Sequence, residues 1–440
     1  MYILSVDFGT SSVKLSILDE TLKLIAKSKI EYNYDVIDKI QAQIDPEIIF
    51  AAMIKGIRQF QQDHLDKIEV IVICVFSPAL CGMDQYGNSL YPSIIHLDRR
   101  SYKQSHEAMD LVGKENFLNI NGNLPFSGGI SLTSILWIKE NYPEIFNRTY
   151  KFGHLNTFIH KKLTGEWGID PSNASFTGLY ETLKGGNWSE SICNTLGIPT
   201  DKLPPIISST KFIGKLTGEC AGLLGLKEGI PVVMGANDTS SAAFGAGAVN
   251  HGDILNVAGS SEIVTVTTTD PKPCESYYIR TSVEENKWLY LTITISGFAL
   301  EWYRKEFYKE ISKENFYKEV FEDLLLNYKQ TGDEKFDPYL AGDRHSMTIK
   351  KGGFSGMTFD TTREDLLMSL LVGTWEPLVN TLRICEEIMD LNKTIFLTGG
   401  MTSQTYLNFK KKRFEKYDFN MVEECSTVGN GKIALKAMQE

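Results

Sequence analysis

Two short segments of this chain have the residue types and the spacing to grip a phosphate. Asp7-Phe8-Gly9-Thr10-Ser11-Ser12 lies between two β-branched, apolar runs, residues 2–6 and 13–18, and Gly259-Ser260-Ser261-Glu262 lies in the same way between residues 254–257 and 263–266. Each copy reads as a strand, a tight turn of glycine and hydroxyl residues, and a second strand. Such a turn leaves backbone N–H groups pointing outward as a cradle for phosphate oxygens. Two of them suggest two half-sites on one polyphosphate. In the first, the amides and hydroxyls of Thr10, Ser11 and Ser12 are candidates for β- and γ-phosphate oxygens, and Asp7 is a candidate to hold Mg²⁺ directly or through water. Lys14 either adds charge toward a phosphate or is a solvated edge lysine. Taken alone, the segment also fits an ordinary polar turn with an exposed aspartate.

Asp238 stands where the strand-like residues 230–234 and Gly235-Ala236-Asn237 hand over to a run of small residues, 239–249. A carboxylate there could accept the proton of an attacking hydroxyl; it could equally cap the helix. Gly399-Gly400, between a strand and a helix, would let a flat base or an α-phosphate approach the backbone, or would simply make a tight turn. Asp98-Arg99-Arg100 offers a hydroxyl acceptor with bidentate donors, as a polyol requires, or a surface ion pair. Trp137, Trp167 and Trp188 read as core aromatics. Lys410-Lys411-Lys412-Arg413 reads as a solvated helix face.

The elements that must position these groups alternate. Residues 22–32 continue the first hairpin as a third strand. Residues 46–65 read as a helix capped by Asp45 with Pro46 at its first position. Residues 70–76 are nearly all apolar and read as a strand buried on both faces. Helices are predicted over 100–112 and 132–141, a strand over 289–295, and a strand over 394–397 followed by a helix from 403. A long amphipathic helix over 362–389 tolerates Pro377 only with a kink or break. Residues 167–210 give no clear pattern. The alternation predicts an α/β architecture.

With 440 residues, 42% of them apolar and 23% charged, the chain is long enough for two cored domains. The expected division is residues 1–246 and 247–440, each half with its own phosphate hairpin. No apolar run reaches the roughly 18 residues that span a bilayer, and no secretory leader is evident, so a cytoplasmic location is expected. The net charge of −10 argues against a nucleic-acid groove. Seven scattered cysteines without a C-x-x-C pair argue against a disulfide framework or a zinc site.

In their order along the chain, these segments resemble the FGGY carbohydrate kinases. The resemblance runs from Asp7-Phe8-Gly9-Thr10-Ser11-Ser12-Val13-Lys14 through Asp98-Arg99-Arg100, Leu136-Trp137-Ile138-Lys139-Glu140-Asn141 and the stretch from Asp170 to Ala174-Ser175-Phe176-Thr177. It continues through Gly235-Ala236-Asn237-Asp238, Gly352-Gly353-Phe354-Ser355-Gly356-Met357 and Gly399-Gly400. It implies a two-domain fold of the actin/Hsp70/hexokinase (ribonuclease H-like) type with a cleft, and transfer of the γ-phosphoryl of Mg·ATP to a sugar hydroxyl. Asp238 would be the base, and Asp7 would hold the metal region. Thr10, Ser11, Ser12, Lys14, Gly259, Ser260 and Ser261 would meet the phosphates, Gly399 and Gly400 the adenosine end, and Asp98, Arg100 and Asn237 the sugar. A ketopentose such as D-xylulose is the expected substrate. Gluconate or another polyol, a catalytically weak sugar sensor and a sugar-independent ATPase are the alternatives, and a homodimer is left open. The chain departs from the family where Ala79-Leu80-Cys81-Gly82 replaces Q-x-H-G and Gly429-Asn430-Gly431 replaces G-A-A.

Overall fold

The structure, a computed structural model, describes every residue except 329–331, 344, 402 and 440. Tyr2–Phe8 pairs antiparallel with Ser12–Asp19, which pairs antiparallel with Leu24–Glu31. On its other side Tyr2–Phe8 pairs parallel with Ile68–Val75, and that strand pairs parallel with Pro231–Asn237. The six-stranded sheet is completed by Phe212–Lys215. Ile68–Val75 takes the centre because it is apolar on both faces, and all its residues but Glu69 are buried.

A second six-stranded sheet repeats this plan. Ile254–Ala258 and Glu262–Thr268 form its hairpin, and Trp288–Thr294 pairs antiparallel with the hairpin's far side. Thr394–Gly399 pairs parallel with Ile254–Ala258, and Asp418–Met421 pairs parallel beyond it. Strand direction and order thus match over five strands of each sheet, and in both the Gly/hydroxyl turn joins the same two positions. A separate five-stranded antiparallel sheet, from Asp35–Ile37, Gln41–Ile44, Ser93–Ile95, Ala79–Met83 and Lys151–His154, flanks the first sheet.

Two helix expectations change. The helix expected over 46–65 ends at Ile57, and a short helix, Gln62–Leu65, follows. Asp45 does cap it, accepting from the Glu47 N–H, but residues 58–64 offer only Phe60 as a large apolar group, so no stripe holds a fourth turn to the core. The long helix Arg363–Ile388 runs through Pro377 without a break. One missing N–H is tolerated because Leu367, Leu370, Leu371, Trp375, Leu378 and Leu382 are all buried in the second core.

The chain passes from the first sheet to the second between Ala246 and Ile254, after the helix Asp238–Ala246. The final helix, Cys425–Gln439, then returns to the first sheet. Its Ile433, Ala434 and Ala437 pack on Ile3, Val70, Val72 and Val233. It also crosses Asp238–Ala246 at glycines. A Cβ on Gly245 would stand 1.9 Å from the Cys425 carbonyl oxygen, and one on Gly429 would stand 1.9 Å from that of Ser241. Among the described residues no helix is long and apolar enough to cross a membrane.

Gly429→Ala is expected to destabilise the protein by about 1–3 kcal/mol or more, because backbone has to move apart to admit the methyl. Gly222→Ala, in a helix where an added Cβ meets nothing within 4 Å, is expected to be neutral or to stabilise by about 0.4–1 kcal/mol. Urea denaturation of the two variants checks the contrast.

Candidate active site

The parallel strands of the first sheet end together, and their ends gather the chemistry. In the ladder Asp7 stands beside Cys74 and Lys14, and Asn237 beside Val75. Asp7 is 8% exposed. The Cys74 thiol donates to its Oδ1 at 3.5 Å, and Lys14 Nζ lies 3.8 Å from its Oδ2. Burial raises the Asp7 pKa, against the pull of Lys14. Asp238 is the first residue of its helix and only partly exposed. Burial, and next the charge of Asp7, push its carboxyl up to about 7. Lys14 thus pairs with Asp7, while the charge of Asp7 raises Asp238.

Asp238 is not the helix cap, although its Oδ1 accepts from the Thr239 N–H at 2.6 Å and from the Thr239 hydroxyl at 3.2 Å; its neighbour Asn237 takes the N-cap position. Asn237 Oδ1 accepts the N–H groups of Thr239 and Ser240, and its Nδ2 donates to the Val75 carbonyl at 3.2 Å. The Asn237 side chain, expected on the sugar, is bonded inside the protein at 1% exposure. Its backbone N–H donates to Ser172 Oγ at 2.8 Å, and that hydroxyl donates to Asp170. Asp170 is fully buried, and burial pushes it up to about 6 despite Asn156, Ser172 and Asn173 donating to it. The Asp170–Thr177 stretch thus props the strand end that presents Asp238.

The first turn is held by a residue the sequence did not signal. The Tyr32 hydroxyl donates to the Gly9 carbonyl at 2.5 Å, and its backbone N–H donates to Ser11 O at 3.0 Å. Gly9 N–H closes the turn on Ser12 O at 2.9 Å. Thr10 and Ser11 remain accessible at its tip, whereas Ser12 is buried at the start of the next strand. Only the tertiary fold brings the end of the third strand back over the turn.

The second turn and the glycine pair lie side by side. Ala258 pairs with Gly399 across the ladder, and Met401 N–H donates to Ala258 O at 3.1 Å. Gly399 has φ +117°, and a Cβ there would come within 2.3 Å of the Ala258 oxygen, so glycine is required. Phe298 N–H donates to Ser260 O at 2.8 Å, seating the next helix on the turn. Directly after the turn, Glu262 is fully buried and accepts from Trp375 Nε1 at 3.1 Å, from the Tyr406 hydroxyl and from Lys410. Lys410 also donates to Asn256 Oδ1 and is fully buried. The solvated face expected for residues 410–413 is thus wrong at its first member. Helix periodicity turns that one lysine inward, where Glu262 supplies the charge that makes its burial tolerable.

A cavity of about 2030 Å³ opens between the halves, lined by Arg99 and Arg100 on one side and by Ser261, Thr294, Phe298 and Gly373 on the other. Its lining does not include Asp7 or Asp238. Asp98 is 1% exposed, with its oxygens taken by the Ala42 N–H and by the backbone N–H and Nε of Arg100. Arg100 further donates to Tyr91 and Gln43 and lies 4.9 Å over Trp137. Asp98, expected on the sugar, is engaged by the protein itself, and the surface ion pair is corrected: this is a buried pair tying the 35–44 hairpin to the cavity edge. No group of three or more His, Cys, Asp or Glu side chains poised for a metal occurs among the described residues. The under-compensated Asp7–Asp238 pair suits instead one hard cation whose other ligands are phosphate oxygens and water.

The Asp238 pKa has a consequence for stability. It lies above that of an unfolded aspartate, about 3.9, so the folded state keeps a proton that the unfolded state loses. The stability tied to that proton is complete below about pH 4 and is lost as the pH rises through about 7. In metal-free buffer Asp238→Asn is expected to melt above the parent protein at alkaline pH, with the gain fading under acid conditions. A gain independent of pH would contradict the assignment.

Residues 2–245 match the profile of the FGGY family of carbohydrate kinases, N-terminal domain. The chain is 24% identical over 434 residues to a xylulose kinase of Staphylococcus xylosus, covering 96% of this chain and 88% of that protein. It is 28% identical over 411 residues to a gluconokinase of Bacillus subtilis (strain 168), covering 91% and 80%. In fold it matches the ligand-bound xylulose kinase from Lactobacillus acidophilus with a TM-score of 0.88 at 21% identity, covering 100% of this chain and 89% of that one. The duplicated sheet with its paired turns and the match over residues 2–245 lead to one conclusion: the chain belongs to the FGGY family of carbohydrate kinases, ATP-dependent phosphotransferases of the two-domain actin/hexokinase type.

Proposed function

We propose that this enzyme phosphorylates a hydroxyl of a small ketose, a ketopentose such as D-xylulose, with Asp238 as the general base. The observation that carries this reading is the Asp238 carboxyl: partly exposed at the end of a parallel strand, oriented by Thr239 donating to its Oδ1, and raised to about 7 by burial and by the charge of Asp7. A base at that value is about half ionised at neutral pH and basic enough to take the proton of an attacking hydroxyl. Thr10 and Ser11, at the accessible tip of the first turn, meet the outer phosphates, with Lys14 adding charge nearby. Gly259, Ser260 and Ser261 offer N–H and hydroxyl groups from the opposite half, and Gly399 and Gly400 leave the backbone bare for the adenosine end. Asp7 holds the metal region, where a bound Mg²⁺ would neutralise charge on the phosphates. Arg100, at the cavity edge, remains the sugar-side candidate. Asp98 and Asn237 serve by holding Arg100 and Asp238 in place. Closure of the halves excludes water and so limits transfer of the phosphoryl group to water.

A sugar acid is the second reading. The similarity to a gluconokinase supports it, as do Arg99 and Lys350 in the cavity lining. Sugar-stimulated ADP release across ketoses, aldoses, polyols and sugar acids separates the two. A flat response to every sugar, despite nucleotide binding, would sink both and favour a sensor. With the preferred sugar, Asp238→Asn is expected to lower kcat by about 10²–10⁴ while leaving ATP affinity within a few-fold; near-normal turnover would remove Asp238 from the base role.

A further inference from the structure

Asn430 stands in the segment that departs from the family's G-A-A, and nothing in the site above makes use of it. It is fully buried at the crossing of the helices Asp238–Ala246 and Cys425–Gln439. Its Oδ1 accepts from Ser241 Oγ at 3.0 Å, one turn along the helix that Asp238 opens. Its Nδ2 faces Ser5 Oγ at 3.1 Å, Cys74 Sγ at 3.3 Å and Val6 O at 3.5 Å. Ser5 and Val6 immediately precede Asp7, and the Cys74 thiol in turn donates to Asp7 Oδ1. A carboxamide is suited to this place because it accepts on one side and donates two protons on the other. One side chain therefore joins the strand that carries Asp7, the strand that carries Cys74 and the helix that begins with Asp238.

We propose that Asn430 is a positioning residue that fixes the placement of Asp7 relative to Asp238, so that binding of a metal-bound nucleotide depends on it and binding of the sugar does not. This rests on the reading of Asp7 and Asp238 given above. Its route is specific: Ser241 to Asn430 to Cys74 to Asp7. The close helix crossing at Gly245 and Gly429 keeps the two helices in contact when the amide is removed, which separates its hydrogen bonds from gross packing.

The test uses the full chain with Asn430→Ala, Cys74→Ala and the double variant. Calorimetric titration with ADP is run in the presence of Mn²⁺ and in its absence, beside melting curves and steady-state kinetics. Asn430→Ala is expected to weaken Mn²⁺-bound ADP about 10–100-fold, as loss of a residue that orients a metal-holding group does. Metal-free ADP affinity and the sugar KM should be unchanged. Cys74→Ala should act in the same direction, and the double variant should fall short of the sum because both act along one route. Unchanged Mn²⁺-bound ADP affinity, or an equal loss with and without metal, overturns the proposal and leaves Asn430 a packing residue. If Asn430→Ala does not fold, Cys74→Ala alone decides between the same outcomes. A wild-type chain that binds Mn²⁺-bound ADP yet phosphorylates no sugar would sink the substrate reading and not this one.

Discussion

Like charge held at short range, with too little to cancel it, is the constraint around which the site is built. Asp7 and Asp238 sit at the open ends of parallel strands, where a chain leaving a buried sheet first meets solvent. Both are raised above ordinary carboxylates by burial, and Asp7 adds its charge to the second shift. A fold optimised only for stability would replace one of them or pair both. Keeping both costs folding free energy, and carboxyls raised in this way are characteristic of functional sites.

Apart from Lys14 beside Asp7, the surrounding structure holds that arrangement through hydrogen bonds rather than counter-charges. Asn237 takes the capping duty, Ser172 takes the Asn237 N–H, and Asp170 takes the Ser172 hydroxyl. Tyr32 closes the first turn from above. On the opposite half the solution is ionic: Lys410 and Glu262 are both fully buried beneath the second turn, with Trp375 and Tyr406 supplying further donors. The difference follows from what each turn abuts. A further cation beside Asp7 would cancel the charge that raises Asp238, whereas beneath Gly259–Ser261 Lys410 meets Glu262 directly.

The duplicated sheet explains how one chain carries the same Gly/hydroxyl turn twice. Each half supplies a hairpin whose turn lies at the carboxyl end of its first strand, and the halves are joined by helices that cross glycine to glycine. Contact without intervening side chains lets the helices approach closely and act as one support for both carboxylate-bearing elements.

The sequence by itself determined the local pieces. Both hairpins, the buried strand around residues 70–76, the Asp45 cap, the strand-to-helix handover at Asp238 and the Gly399-Gly400 turn are written in alternation, β-branching and turn residues, because those signals act over a few neighbours. The order of the motifs also carried the family. Only the tertiary structure decided which polar groups stay free. Asn237 rather than Asp238 caps the helix, Asp98 is closed by Ala42 and Arg100, Lys410 turns inward, and Tyr32 and Asn430 reach the site from distant parts of the chain. The Asn237 cap is local, but the others depend on partners tens to hundreds of residues away. Local signals in the sequence do not reach those distances.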